Sequence, residues 1–307
     1  MVKAKPVRIC HVNARSLNAK SRLFDLELLA AGNSIDLLCV SESWLKTIQP
    51  SPTVRIPGFE LPLRDDRAVG RGGGVAVYVR HGVQCNQIKC PLSSEFQCVV
   101  VSVASSSRSS LTVISVYRPP GIDSKDFIDY LDSVLASLPR STCRNICVVG
   151  DFNAKHENWL PSQVLDAAGL RLFAFGVSHG LAQVVSEPTF TTSTGREVQL
   201  DLMFVNQPSL VQSCTTLAPL ADHRPTLLQL SCGGGPQRAR PKAYFIGDYQ
   251  RADYNGLRGA LRGQDWGTLR LCTNPSTAVA VWSGVLSWLL DQYIPWKRVG
   301  SNRQGQG

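Results

Sequence analysis

The sequence predicts an α/β protein in which two packed β-sheets are flanked by helices. Short segments rich in β-branched residues and bounded by Gly, Pro or Ser recur along residues 7–231, as expected of buried or half-buried strands. Two of these segments are separated only by "SSSRSS", which indicates a hairpin. Helical patterns fall between some of the others. Many strands with few helices favour two sheets with the helices outside.

Eight segments have the composition of strands. They are residues 7–14, 36–43, 73–80, 96–104, 111–118, 145–153, 198–205 and 226–231. Each is short enough to cross one sheet and ends in Gly, Pro or polar residues. The predicted hairpin joins the fourth segment to the fifth.

Two segments have the spacing of amphipathic helices. In residues 21–32 the apolar side chains fall on one face, and Gly32 suits the position after the last turn. Residues 123–139 repeat this spacing. Asp123 or Ser124 can cap the start of that helix, and Pro139 ends it.

Length and composition restrict the class of protein. The 307 residues are 43% apolar, enough for one large core or two smaller ones. No apolar run is long enough to span a membrane, and no signal-peptide core follows the first lysines. The ten cysteines form no CxxC pair. Free buried thiols in an intracellular, reducing compartment are therefore expected, with a disulfide framework as the alternative.

Positive charge is concentrated near the C-terminus. The formal net charge is +9. Residues 1–232 carry 22 basic and 19 acidic side chains, or +3, whereas residues 233–307 carry 10 and 4, or +6. We expect a domain over 1–231, a flexible basic linker over 232–241 and a partly helical tail over 242–307, with a helix at 276–290. The basic balance favours a polyanionic partner, and ordinary solubility is the alternative.

Polar residues suited to one site collect at the ends of the predicted strands. They are Asn13, Glu42, Tyr117, Arg118, Asp151, Asn153, Asp201, Asp222 and His223. Catalytic and ligand-binding groups gather where rigid strands meet their loops. Asp151 and Asn153 stand two apart, so on an extended chain they would point to the same side.

Each of these residues also has a purely structural interpretation. "GDFN" is a turn sequence, Glu42 or Asp222 could cap a helix, and His223 could be a surface histidine. Asp201 is harder to explain in this way, because it interrupts an apolar strand and a buried carboxylate needs a partner. Taken together, the residues favour a catalytic site.

Six motifs resemble the endonuclease/exonuclease/phosphatase superfamily, which includes DNase I-like nucleases and apurinic/apyrimidinic (AP) endonucleases. They are "HVNARSL", "SESWL", "VYRPP", "GDFNAKHENW", "QLDLMFV" and "ADHRP", in that order across residues 7–231. "RGGGVAVYVR" and "YRPPG" are typical of its non-LTR retrotransposon endonuclease branch. The tail resembles the segment that joins such an endonuclease to a reverse transcriptase. The resemblance implies a four-layered α/β sandwich.

The resemblance also implies a Mg²⁺-dependent phosphodiesterase, with Mn²⁺ as an alternative ion. Glu42 would hold the metal, and Asn13 and Asp222 would support it. Asp151 would deprotonate the attacking water, and Asn153 would fix the phosphate. Asp201 would orient His223, which would stabilise charge on a phosphate oxygen. Tyr117 would donate its hydroxyl near the phosphate or to Asp151.

The implied substrate is nuclear DNA, nicked at a target site, with element RNA as a further partner if the chain is part of a polyprotein. Arg15, Arg118 and Arg196 are the predicted DNA contacts. Arg15 stands where AP endonucleases have an aspartate, and Arg196 lies in a predicted surface hairpin, 191–198. "RGGG" at 71–74 predicts a tight bend, with a phosphate cradle as the alternative. The alternative functions are an inositol phosphate phosphatase, a sphingomyelinase and a catalytically decayed nucleic-acid-binding remnant.

Overall fold

The computed structural model describes residues 6–68, 70–106, 109–220, 222–231, 244–270 and 275–299. The chain divides into two compact units, Met1–Ala239 and Arg240–Gly307. The predicted linker, 232–241, lies outside the described residues, so the domain boundaries drawn from the sequence stay a prediction.

The first unit contains fourteen strands and three α-helices, as far as it is described. The strands are β1 (Val7–Asn13), β2 (Leu37–Ser41), β3 (Leu63–Asp65), β4 (Val75–Val79), β5 (Cys85–Ile88), β6 (Gln97–Ser106), β7 (Ser109–Tyr117), β8 (Ile146–Asp151), β9 (Ala182–Gln183), β10 (Phe190–Thr191), β11 (Glu197–Val198), β12 (Asp201–Val205), β13 (Val211–Thr216) and β14 (Thr226–Leu230). The helices are α1 (Lys20–Asn33), α2 (Ser124–Ser137) and α3 (Ala167–Ser178).

Twelve of these strands form two mixed six-stranded sheets. The first sheet has the order β13-β14-β1-β2-β4-β3, and the second has the order β5-β6-β7-β8-β12-β9. Within them, β1 runs parallel to β2 and β7 runs parallel to β8. The remaining pairs are antiparallel, including the predicted β6–β7 hairpin. The predicted α/β class with two packed sheets is therefore confirmed.

Three apolar clusters hold the layers of the first unit together. One lies between the sheets, where Ile9 and Cys39 of the first meet Val149 and Met203 of the second. A second cluster packs α2 and α3 on the outer face of the second sheet. A third packs α1 on the outer face of the first sheet. The result is the predicted four-layered sandwich, since each sheet is apolar on both faces.

Three local features differ from the prediction. The single strand expected over 198–205 is two strands, because the backbone N–H of Leu200 donates to Thr189 Oγ1 (3.0 Å) and leaves the ladder. Helix α1 continues past Gly32, and Ser34 ends it in a left-handed conformation with φ 51°. Helix α3 was not predicted, because its sequence, "AAGLRLFAFGVS", is apolar and contains two glycines that disfavour a helix.

In the second unit, β15 (Tyr244–Gly247) pairs antiparallel with β16 (Trp296–Val299). Its helices are α4 (Tyr254–Gly263), α5 (Gly267–Arg270) and α6 (Pro275–Tyr293), and α6 contains the helix predicted at 276–290. Among the described helices of the chain, none is both long and apolar enough to cross a membrane.

Candidate active site

The pairing of the strands brings the predicted site residues together. Parallel strands end at the same edge of a sheet, so Asn13 at the end of β1 lies beside Ser41, which immediately precedes Glu42. In the second sheet, Tyr117 at the end of β7 is paired with Asp151 at the end of β8. Asp151 is also paired with Asp201, the first residue of β12.

Gly150 permits the close pairing of β7 and β8 just before Asp151. A Cβ atom at this position would lie 2.0 Å from the carbonyl oxygen of Val116. Any side chain would force the two strands apart. The glycine of "GDFN" is therefore required by the approach of a neighbouring strand and not by the turn that follows.

Asp151 is held by two donors from different elements. Asn13 Nδ2 donates to Asp151 Oδ2 (2.9 Å), and the backbone N–H of Asn153 donates to Asp151 Oδ1 (3.1 Å). Asn153 has φ 46° and donates its side-chain amide to the carbonyl of Arg118 (2.9 Å). The prediction that Asp151 and Asn153 share one side of an extended chain is wrong, because the chain makes a left-handed turn there.

His223 and Asp201 form the buried pair that the sequence predicted. His223 Nδ1 lies 2.8 Å from Asp201 Oδ2, and both side chains are buried. An isolated bridge between Phe190 and His223 fixes the loop that carries the histidine. The remaining imidazole nitrogen, Nε2, is the one that can face a substrate.

His11 is a neighbour of this pair that the sequence analysis missed. Its Nδ1 lies 3.4 Å from Asp201 Oδ1, and its Nε2 lies 3.0 Å from Ser41 Oγ. It is fully buried within β1, two residues before Asn13. That spacing places both side chains on one side of the strand and was the signal available in the sequence.

Burial and neighbouring charges shift the pKa values of this cluster. Burial, with the charge of Asp201, raises the pKa of Asp151 to about 7. Burial acts to lower the pKa of His223, but the charges of Asp201 and Asp151 outweigh it and raise the pKa to about 9. Burial lowers the pKa of His11 to about 4, against the attraction of Asp201. These shifts favour a protonated His223, a neutral His11 and an Asp151 that keeps its proton to higher pH than an ordinary aspartate.

Glu42 accepts hydrogen bonds from three directions. Tyr117 donates its hydroxyl to Oε1, and Trp44 donates its indole N–H to Oε2. The backbone N–H of Gly73 also donates to Oε2 (2.9 Å). Tyr117 therefore donates to Glu42 and not to Asp151. Burial, followed by the charge of Glu42, raises the pKa of Tyr117, so its phenol stays protonated.

Left-handed backbone is concentrated at the candidate site. Among described residues, six that are not glycine have a positive φ, and all except Ser34 lie at the site: Arg15, Ser16, Glu42, Trp44 and Asn153. Such conformations cost of order 1–3 kcal/mol each and persist where the surroundings over-determine them. Their concentration here supports a functional site.

The oxygen ligands expected for a hard cation are present. Glu42, Asn13 and Asp222 offer carboxylate and amide oxygens, the donors that Mg²⁺ prefers. Among the described residues, Asp222 Oδ1 is buried without a hydrogen-bond partner, while Arg15 Nη1 lies 2.7 Å from Oδ2. A cation at Asp222 would satisfy that buried oxygen, whereas the oxygens of Glu42 and Asn13 already accept hydrogen bonds. The predicted set of three metal ligands therefore stays a prediction.

Among the described residues, one group of acidic and histidine side chains could hold a metal: Asp151, Asp201 and His223. Their ligand atoms all lie within 4.8 Å of one another. This group differs from the predicted metal ligands, Glu42, Asn13 and Asp222. The structure therefore offers a second group of possible metal ligands beside the predicted one.

The predicted DNA contacts differ in accessibility. Arg118 is 6% exposed, and its guanidinium donates to the carbonyls of Phe152 (2.7 Å), Ile122 (2.8 Å) and Asn153 (2.6 Å). It fixes the turn after β8, which argues against the predicted contact with DNA. Arg15 is 58% exposed. Arg196 is exposed at the end of the β10–β11 hairpin and donates to the carbonyl of Ser162 (3.0 Å).

Solved structures share this fold. The endonuclease domain of TRAS1, a telomere-specific non-LTR retrotransposon, superposes with a TM-score of 0.60 at 19% identity, covering 74% of this chain and 99% of that one. AP endonuclease LMAP from Leishmania major gives 0.59 at 14% identity, covering 74% and 88%. The 3′-5′ exonuclease NExo from Neisseria meningitidis gives 0.55 at 19%, covering 73% and 100%. The chain therefore shares the fold of these nucleases.

A narrower match lies inside this fold. Residues 111–227 match the family model described as endonuclease-reverse transcriptase. They contain Tyr117, Asp151, Asp201 and His223. No curated protein sequence matches the chain. The resemblance predicted from the six motifs is confirmed.

Proposed function

We propose that the chain is a Mg²⁺-dependent endonuclease that nicks DNA phosphodiester bonds, of the non-LTR retrotransposon target-site type. The observation that carries this proposal is the buried cluster of Asp151, Asp201 and His223, whose ligand atoms lie within 4.8 Å of one another. Tyr117 connects the cluster to Glu42, because its backbone is paired with Asp151 and its hydroxyl donates to Glu42. The proposed base (Asp151), the proposed imidazolium (His223) and the proposed metal-binding carboxylate (Glu42) are therefore neighbours.

Asp151 is the proposed general base. Its pKa of about 7 gives it a substantial ionised fraction near neutrality and a much greater proton affinity than an ordinary aspartate. Asn13 orients one carboxylate oxygen by donating to Oδ2. The carboxylate would take the proton of the attacking water, and Asn153 would contact the phosphate.

His223 is the proposed stabiliser of negative charge. Asp201 accepts the proton on Nδ1, which orients the ring and favours the imidazolium. Nε2–H is then available to a phosphoryl oxygen on which charge accumulates. This use of a buried Asp–His pair explains why the carboxylate of Asp201 stands inside an apolar strand.

Glu42, supported by Asn13 and Asp222, would hold Mg²⁺. When bound, the ion would neutralise charge on the phosphoryl oxygens. Trp44, Gly73 and Tyr117 keep the carboxylate of Glu42 in one orientation through their hydrogen bonds. The protein therefore prepares this carboxylate before a ligand arrives.

The net charge of +9 supports a polyanionic substrate. The exposed Arg15 and Arg196 are the proposed contacts with DNA phosphates or grooves. Arg118 is omitted, because its guanidinium is used within the fold. A chromosomal target would require a nuclear location.

The test is nicking of supercoiled plasmid by the pure full chain with Mg²⁺, with Mn²⁺ and with EDTA. We expect Mg²⁺-dependent conversion to open circles that carry a 3′-hydroxyl, and loss of this conversion in Asp151→Asn. An inositol phosphate phosphatase or sphingomyelinase would instead release phosphate or phosphocholine from those substrates. Binding without nicking by a folded protein would indicate a decayed remnant.

A further inference from the structure

An open cavity of about 380 Å³ adjoins Glu42. Its volume falls within the range of ligand sites, roughly 300–1,000 Å³. Trp44 and Pro119 contribute apolar surface, and Arg67 and Arg71 contribute two positive charges. The cavity thus offers room, a flat ring and cations beside the proposed metal carboxylate.

Arg67 is held against the glycine-rich segment 71–74. A Cβ atom at Gly73 would lie 2.8 Å from Cδ of Arg67, so only glycine leaves space for the aliphatic part of this arginine. Arg67 and Tyr117 line the same cavity. No described residue forms a hydrogen bond or ion pair with the guanidinium of Arg67.

Arg71 is oriented by the neighbouring indole. Its Cζ lies 5.2 Å from the centroid of the Trp44 ring, a cation–π arrangement. Trp44 is itself fixed by its hydrogen bond to Glu42. Lys46 Nζ donates to the carbonyls of Arg67 (3.2 Å) and Gly70 (2.7 Å) and so secures the segment between the two arginines.

These contacts reduce the conformational entropy that the two arginines would lose when they bind a ligand. Carboxylates do not neutralise their guanidinium groups in the described part of the chain. A phosphate group is the ligand that planar guanidinium groups recognise best. An aromatic ring beside them suits a sugar or a base.

We propose that this cavity binds the nucleotide next to the scissile bond, with Arg67 and Arg71 on its backbone phosphate and Trp44 against its sugar or base. The inference rests on the proposed function, because that function places a DNA strand at Glu42. It assigns the "RGGG" segment a role in substrate binding through the side chain of its arginine.

The first measurement is binding without turnover. A short fluorescent duplex is titrated in EDTA against the wild-type chain, R67A/R71A and the matched control R55A/R140A, which removes two arginines that are exposed elsewhere. We expect R67A/R71A to weaken binding about tenfold or more, since hydrogen bonds to charged groups are worth that much. Its salt slope should fall by about one, because the two arginines share one phosphate, while the control keeps the wild-type slope.

The second measurement replaces single phosphates of the duplex by neutral methylphosphonates, one position at a time. The wild-type chain should lose affinity at one position, and R67A/R71A should be indifferent to the same replacement. The proposed binding role of the cavity would be overturned if R67A/R71A and R55A/R140A lost affinity equally, or if the wild-type chain bound no duplex. A chain that shows this arginine dependence but never nicks DNA with Mg²⁺ would refute the proposed function and retain the binding site.

Discussion

The two sides of the candidate site are built in opposite ways. On one side, Asp151, Asp201 and His223 are all buried, and burial and neighbouring charges raise the pKa values of Asp151 and His223. On the other side, Glu42 borders an open cavity and is surrounded by hydrogen-bond donors. The buried side is suited to moving protons, and the open side is suited to holding ions and phosphates. Substitutions on the two sides should therefore affect different kinetic parameters.

The largest effect is expected from Asp151→Asn. Loss of the proposed general base should lower kcat by roughly 10²–10⁴ with little change in KM. Plasmid nicking under single-turnover conditions measures this effect. Asp129→Asn, on the exposed surface of α2, is the matched control and should keep the wild-type rate. A near-normal kcat in Asp151→Asn would mean that another group takes the proton.

The buried side should also give the reaction its pH dependence. Asp151 acts as a base only when ionised, so kcat/KM should rise as the pH increases through about 7. His223 must retain its proton, so kcat/KM should fall as the pH increases through about 9. Nicking rates between pH 5 and 10 would show this bell. A rate that keeps rising from pH 9 to pH 10 would exclude a role for a protonated His223.

The same two shifts predict how stability depends on pH. Both pKa values are raised above the ordinary 3.8 and 6.5, so the folded state binds these protons more tightly than the unfolded state. Their stabilisation is complete below the ordinary values and is lost as the pH rises through about 7 and then about 9. The free energy of unfolding from urea titrations should therefore fall across this window. Asp151→Asn should flatten the lower part of the curve.

Tyr117→Phe tests the connection between the two sides. The substitution removes one hydrogen-bond donor from Glu42 and leaves the ring buried. We expect the Mg²⁺ concentration needed for half-maximal rate to rise about tenfold, a smaller effect than that of Asp151→Asn. Phe190→Leu changes an aromatic ring beside His223 and is the control on the buried side. An unchanged Mg²⁺ requirement in Tyr117→Phe would place the metal away from Glu42.

The smallest effect on rate is expected from Arg196→Ala. Arg196 is exposed beside the β10–β11 hairpin and outside the proposed catalytic set, so its loss should change which positions are cut and leave the total rate within about twofold. Mapping nicks on one labelled duplex measures the pattern, with Arg55→Ala as the control. Identical patterns for all three proteins would locate target choice elsewhere.

The strand ends were predictable because their signals are local. Alternation and β-branched residues identify β1, β2, β7 and β8, and a polar residue after each indicates the site. Asp201 was identified because a carboxylate inside an apolar strand demands a partner, and its hydrogen bond to His223 agrees with that reasoning.

Other features depend on contacts between distant residues. Two of the carbonyls that hold Arg118, those of Phe152 and Asn153, lie 34 and 35 residues further along the chain, so its sequence position alone suggested a surface contact. The left-handed turn at Asn153 is stabilised by the carbonyl of Arg118, which is equally distant along the chain. The cavity beside Glu42 is lined by residues from separate segments: Trp44, Arg67, Arg71 and Tyr117. No single sequence motif predicts it.

The close approach of Gly150 to Val116 has a consequence for judging sequences that drift. A related sequence could keep every acidic residue and histidine of the candidate site and still lose its geometry through Gly150→Ala, because the new methyl group would collide with the carbonyl of Val116. Tyr117 and Asp151, the next residues of the two strands, would then move apart. A comparison of sequences that scores only the acidic residues and histidines would count such a variant as intact, and one that also scores this glycine would not.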